Sequence, residues 1–375
     1  MAQVGRRGTT VAEPANLKPL TSLRFFAAAW VVLFHYWPKL AVTGTPALVE
    51  KGYLGVEAFF ILSGFILCHV YLAAAETGRF RYADFLWARL ARIYPMHLAT
   101  MIGIGLMAGL ALAAGTQVDP NILSLQALPA NLALVQAWGL APVAGWNHPS
   151  WSISAEWFAY LSFPLFAYVA MQLRARPLVA LVGALGLMAT LYAGFPILAG
   201  FPLTKATIAW GALRIVPCFA LGCALFLVWR THVVDRRKAV LGAWFFGAAA
   251  LLAAQFGAPD TVTVACFGGL IVSLAQASRS GSRLGSHPVL VYLGEISYSI
   301  YMICIPWQLL SVNLSVKILH LNSKQLPWYL WLVLLVALVP LASMTHSLIE
   351  KPARDRMKLW WASRPGHKLA TAPAR

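Results

Sequence analysis

Acidic residues are scarce in this chain: twelve Asp and Glu stand against 29 Lys and Arg in 375 residues, and only 11% of the residues are charged. A soluble domain carries about 25% charged residues, so an ordinary water-soluble fold is excluded. Cysteine is nearly as sparse. Cys68, Cys218, Cys223, Cys266 and Cys304 all fall in apolar runs with no CxxC pair, which argues against a disulfide framework and for small buried hydrophobes. The nine histidines are scattered without metal-ligand spacing, and no metal is expected. A Gly-x-Ser-x-Gly elbow, a Walker loop and an HExxH helix are all missing, which excludes the soluble chemistries they signal. There is no internal repeat and no appended soluble domain.

What is present is apolar length. Sixty per cent of the residues are hydrophobic, and runs of helical length recur at about 20–37, 52–74, 93–114, 150–171, 178–198, 207–229, 239–256, 261–277, 288–312 and 326–348. An all-α polytopic membrane protein with about ten transmembrane helices is the expected fold. The net charge of +17 would suit nucleic acid, but membrane topology explains it better, so no nucleic-acid partner is expected. Of the 29 basic residues, 22 lie on segments that an even span count puts on one side. Five (Lys39, Lys51, Lys205, Lys317, Lys324) lie in loops on the other, and Arg24 and Arg214 lie within spans. Basic loops stay inside, so both termini are expected in the cytoplasm of a cell whose inner or plasma membrane holds the chain. Residues 1–19 read as a retained tail without a signal-peptide cleavage site, 20–348 as the membrane domain and 349–375 as a basic tail lying on the inner leaflet. The segment 79–92 alternates basic and aromatic residues, as an interfacial amphipathic helix does. The long outer connection 115–149 holds a candidate re-entrant piece.

Ionisable groups at membrane depth are costly and mark sites. Arg24 and His35 are eleven positions apart on the first span. At 100° and 1.5 Å per residue they face the same way, about 16 Å apart along the axis. Glu57 and Glu156, entering from the outer side on spans two and four, are expected in the layer of His35. There a carboxylate would orient the imidazole as a general base. Arg89 and Arg92 share a helix face on the cytoplasmic side, and paired guanidiniums suit phosphate. Arg214, mid-span, needs a carboxylate or an anionic ligand. Ser63-Gly64 sits mid-span two, where a glycine admits a helix or a ligand closely.

In order, these pieces resemble the acyltransferase 3 family of integral-membrane acyltransferases. They are Arg24 through His35, Gly55-Val-Glu57 with Ser63-Gly64-Phe65, Arg89-x-x-Arg92, Trp151-Ser-Ile-Ser-Ala-Glu156, Ile296-Ser-Tyr298-Ser-Ile-Tyr301 and Ile349-Glu350-Lys-Pro352. The resemblance implies ten-helix enzymes that move an acyl group, often acetyl, from cytoplasmic acyl-CoA to a hydroxyl of a surface polysaccharide, glycolipid or related acceptor. It implies that His35 and Arg24 are the essential pair and that Arg89 and Arg92 meet the CoA phosphates, with Ser63-Gly64 along the path of the donor. This chain has Glu57 where the family often has Asp, and Cys304 where many members have a histidine, so any role of that histidine does not carry over. A fused extracytoplasmic domain is not expected, so transfer would be direct or through a separate protein. The alternative from another class is a transporter of a sugar or lipid, since intramembrane Arg, His and Glu mark such pathways too.

Overall fold

The computed structural model describes residues 17–364. The rest of the two expected tails, 1–16 and 365–375, lies outside the described residues. Among the described residues there is no β-strand beyond two isolated bridges. The principal helices are α1 (Lys18–Tyr36), α2 (Gly55–Glu76), α3 (Tyr82–Ala113), α4 (Trp151–Leu161), α5 (Phe163–Leu173), α6 (Pro177–Ala199) and α7 (Gly211–Thr231). They continue with α8 (Arg236–Gln255), α9 (Asp260–Arg279), α10 (Pro288–Glu295), α11 (Ser297–Leu319), α12 (Trp328–Thr345) and α13 (Lys351–Ala362). Among the described residues, eight helices are long and apolar enough to cross a membrane, and α4 with α5 makes a ninth if the bent pair is one span. Helix α1, made less apolar by Arg24 and its Thr-Ser turn, falls outside that set. Its 19 residues still give about 28 Å at 1.5 Å per residue, close to a bilayer core of about 30 Å. All ten expected runs thus coincide with helical positions, and the protein is an all-α polytopic membrane protein.

Local sequence explains the breaks. The 56° bend between α4 and α5 falls at Ser162-Phe163-Pro164, where proline removes a donor and disfavours helical backbone before it. Helix α8 starts on Asp235, whose carboxylate accepts from the backbone N–H groups of Arg237 (2.9 Å) and Lys238 (3.4 Å), an N-cap. Helices α2 and α7 cross at Gly64 and Gly222. A Cβ on Gly64 would stand 2.1 Å from the Phe219 carbonyl oxygen, and one on Gly222 2.1 Å from that of Ile61. The small-residue contact lets the two backbones touch, and α7 thereby becomes the buried central helix, with Trp229, Phe219 and Ile215 fully covered.

Three expectations change. Residues 79–92 do not form a separate interfacial helix. From Tyr82 they are the first turns of α3, which runs 32 residues through Pro95; membrane helices tolerate such a proline because neighbours re-satisfy the freed carbonyl. The amphipathic pattern arises because one side of this extension meets α13. The outer connection folds back into the protein through the short helix Leu128–Leu132 and two 3₁₀ turns. It buries Asn131, Gln136 and Asn147, and His97 Nε2 is 2.9 Å from the Asn131 carbonyl. Finally, the described part of the C-terminal segment is not simply laid on a membrane surface. It continues from α12 through a π turn, His346–Glu350, into α13. There Trp361 stacks on Trp87 of α3 with ring centroids 4.8 Å apart and planes 13° from parallel.

Candidate active site

Helices α1, α2, α3, α4 and α11 enclose a cavity of about 270 Å³, near the lower end of small-molecule sites, roughly 300–1,000 Å³. Its polar lining is concentrated: Arg24 from α1, Ser63 from α2, Arg89 and Arg92 from α3, and Glu156 and Tyr160 from α4. Five of the residues singled out in the sequence therefore meet in one chamber. Glu156 is its anionic centre. One carboxylate oxygen accepts from Ser63 Oγ at 2.6 Å and from the Tyr160 hydroxyl at 2.5 Å, and the carboxylate stands within electrostatic reach of Arg24 and Arg89. The Arg89 guanidinium lies 5.7 Å from the Tyr71 ring centroid and 6.0 Å from that of Tyr160. Its Nε is buried without a hydrogen-bond partner. Arg24 has Arg92 for a like-charged neighbour and Glu350 as a second carboxylate within reach. Cations outnumber anions here, and the surplus is turned towards the cavity.

His35 stands apart from this lining. Its Nδ1 lies 2.8 Å from the Val31 carbonyl one turn back. A carbonyl oxygen only accepts, so Nδ1 carries the proton and Nε2 keeps the lone pair. The outer end of α1 is pinned around it. The Gln308 amide donates to the His35 carbonyl (2.7 Å), Trp331 Nε1 to the Tyr36 carbonyl (2.8 Å), and the Tyr36 hydroxyl to the Cys304 carbonyl (2.7 Å). At the outer end of the cavity Phe59 and Tyr301 close over it with ring centroids 6.3 Å apart. Tyr301 accepts from Ser152 (2.8 Å) and donates to the Pro149 carbonyl (3.0 Å). The residue before Pro149 is His148, which lies within electrostatic reach of His35. Tyr301, which lines the cavity, is thus linked through Pro149 to the segment that carries His148.

The expected layer of His35, Glu57 and Glu156 does not exist. Glu57 is wholly buried, and both its oxygens are taken by Arg214, Nε at 2.6 Å and Nη2 at 3.0 Å. Arg214 completes its fork on the Ala206 and Tyr53 carbonyls (2.9 and 3.3 Å) and lies 4.6 Å from the Trp151 ring centroid. Arg214 thus has the partner the sequence demanded, but that partner is the carboxylate expected beside His35. Glu156 is pulled inward to the level of Ser63, six residues or about 9 Å along α2 from Glu57. Gly64 serves the crossing with α7 and does not line the cavity, so its expected contact with the donor is withdrawn, while Ser63 does line it. Sequence reasoning missed His148, one position before Pro149-Ser150-Trp151, and gave no role to Tyr160, which follows the Trp-Ser-x-Ser-x-Glu run. Both could have been flagged as polar residues flanking the Trp-Ser-x-Ser-x-Glu run. It also left Glu350 without a role. That carboxylate, 2% exposed, accepts from Ser299 Oγ (2.7 Å) and lies 3.0 Å from His346 Nδ1.

Inside a bundle of membrane-spanning helices, then, the chain gathers three arginines, a carboxylate and tyrosines around one cavity. The family model described as "Acyltransferase domain" (acyltransferase 3) matches residues 19–346, and the chain belongs to that family. It is 30% identical over 96% of its length, and 95% of the relative's, to "Acyltransferase MdmB" of Streptomyces mycarofaciens. It is 25% identical to "Nodulation protein 10" of Rhizobium leguminosarum bv. viciae over 88% of this chain and 91% of that one. A third relative is YrhL of Bacillus subtilis (strain 168), named as a candidate peptidoglycan O-acetyltransferase. It is 25% identical over 90% of this chain but 55% of its own length. No solved structure matches. The protein is therefore a multi-pass membrane acyltransferase, and the transporter alternative gives way to it.

Proposed function

We propose that the donor is an acyl-CoA, with acetyl-CoA the foremost candidate. The acceptor is a hydroxyl of a surface polysaccharide, glycolipid or related molecule, reached from the other side of a cell (inner or plasma) membrane. The observation that supports this reading is polarity along α1: an excess of arginines around the cavity at the Arg24 end, and an imidazole lone pair left free at the His35 end. The CoA phosphates would rest on Arg89 and Arg92, at the end that the basic loops assign to the cytoplasm. The pantetheine arm would pass Arg24 and Ser63 and bring the thioester towards Phe59 and Tyr301. His35 Nε2 takes the acceptor's hydroxyl proton as its oxygen attacks the thioester carbonyl. The C–S bond breaks, and the proton returns from the imidazole to the departing thiolate. Orientation of the base comes from the Val31 carbonyl, not from a carboxylate. The name of the Bacillus relative points to acetyl transfer onto a glycan.

Two measurements test the reading. The protein in nanodiscs should release free CoA from acetyl-CoA in an acceptor-dependent manner. Surface glycans and glycolipids from cells with and without the gene should differ by the mass of one acyl group. Absence of both effects would overturn it.

A further inference from the structure

The positive charge of the chamber does not stop at Arg92. Helix α13 leaves the π turn with Arg354 and Lys358 at i and i+4, on one face, and that face is held against the first turns of α3. Trp87 Nε1 donates to the Met357 carbonyl (2.8 Å), Trp361 Nε1 to Asp84 Oδ1 (2.8 Å), and the Trp87 ring also meets Trp360 at 4.9 Å. Docked in this way, Lys358 lies within electrostatic reach of Arg354, Arg89 and Arg92 at once. Four cations are thus gathered together, and two of them, Arg89 and Arg92, line the cavity. Arg354 is 8% exposed and has only long contacts to carboxylates, 3.6 Å to Glu350 and 3.6 Å to Asp355, and Asp355 is itself half exposed. Its Nη2 is buried without a partner, as is Arg89 Nε. Bringing like charges together and burying unpaired N–H groups both cost free energy. A phosphate polyanion would offset both, because it accepts from several guanidinium and ammonium donors simultaneously.

We infer that Arg354 and Lys358 of the C-terminal helix, together with Arg89 and Arg92, form one composite phosphate site that binds the 3′-phosphorylated nucleotide end of the acyl donor. This rests on the acyl-CoA reading above. It adds that α13, docked by tryptophan on α3, is part of the donor site.

The test uses the full chain in nanodiscs and the variants Lys358→Gln and Arg354→Lys, the second keeping a cation opposite Glu350. Binding of adenosine 3′,5′-bisphosphate should weaken about tenfold in Lys358→Gln, the scale of one charge-assisted hydrogen bond. The KM for acetyl-CoA should rise by a similar factor, with kcat nearly unchanged. The KM for S-acetylpantetheine, which has no phosphate, should be the same in both proteins. Arg354→Lys should show the same split in smaller degree. Equal bisphosphate binding by wild type and Lys358→Gln overturns the composite site, as does an equal loss with S-acetylpantetheine. If the difference appears only in phosphatidylglycerol-containing discs and not in pure phosphatidylcholine, the cations serve a lipid headgroup and the nucleotide assignment falls. Failure of the acyl-CoA reading itself would look different: Lys358→Gln would bind the bisphosphate more weakly than wild type, yet wild type would release no CoA.

Discussion

Two regions of the bundle hold buried charge, and they treat it in opposite ways. Around Arg214 every guanidinium nitrogen is answered: Glu57 accepts two hydrogen bonds, the Ala206 and Tyr53 carbonyls one each, and Trp151 covers the face. Along the inner face of α1 charge is left open. Among the described residues neither Arg24 nor Arg92 forms a salt bridge or hydrogen bond, and His35 keeps Nε2 free. A saturated pair holds helices in register, because nothing in it remains to bind a substrate. An unsaturated cluster keeps its free energy for a ligand. The same residue type, arginine at membrane depth, is thus scaffold in one place and site in the other.

The comparison can be broken at either end. The largest effect should come from His35→Ala on the open side. Loss of a general base costs about 10²–10⁴-fold in turnover, with expression and thermal stability kept. Near-normal turnover in a folded variant would remove His35 from the chemistry. On the saturated side, Arg214→Ala strands the Glu57 carboxylate and should cost about 3–5 kcal/mol of stability, read by unfolding in detergent. Adding Glu57→Gln should recover part of that loss; if Arg214→Ala alone left stability intact and removed only activity, Arg214 would belong with the site. Glu156→Gln should lower kcat/KM by roughly tenfold to a hundredfold with little change in stability, since it removes a charge-assisted acceptor of Ser63 and Tyr160. The smallest effect is the most discriminating. Glu57→Gln should leave the shape of the rate-versus-pH profile unchanged, because Glu57 faces Arg214 and not His35. A displaced limb would restore the carboxylate–imidazole pair and dissolve the distinction between the regions.

Hydropathy made the span positions legible, and the cost of a lone intramembrane Arg214 made its need for a carboxylate legible too. Which carboxylate was not legible. Depth along a helix ranks Glu57 and Glu156 together with His35, but helix rotation and the choice between partners are set by packing, here by the Gly64–Gly222 contact that turns α2 towards α7. Arg24, Arg89 and Arg92 were legible as charges of the inner side, but that Glu156 joins them and Ser63 in one chamber was not, because depth along its helix had placed it in the layer of His35. The role of the outer connection was hidden. His148 comes within electrostatic reach of His35 because residues 115–149 fold back into the bundle, and although a re-entrant piece was expected there, periodicity did not show which of its residues would approach the site. The basic-aromatic pattern of 79–92 suggested a membrane surface because tryptophan and arginine read alike whether they face lipid headgroups or another helix.

The π turn at His346–Glu350 has an evolutionary side. A π turn holds one residue more than the α-helical turn it replaces. Deleting that residue would let α12 run on as regular helix and would rotate everything after it by about 100°. Arg354, Lys358 and Trp361 would swing off α3 together, although none of them had been altered. Substitutions at the exposed positions 347–349 can be absorbed one at a time, whereas a change of length cannot. Lineages of this chain should therefore drift at those three positions while inheriting the residue count of the segment unchanged.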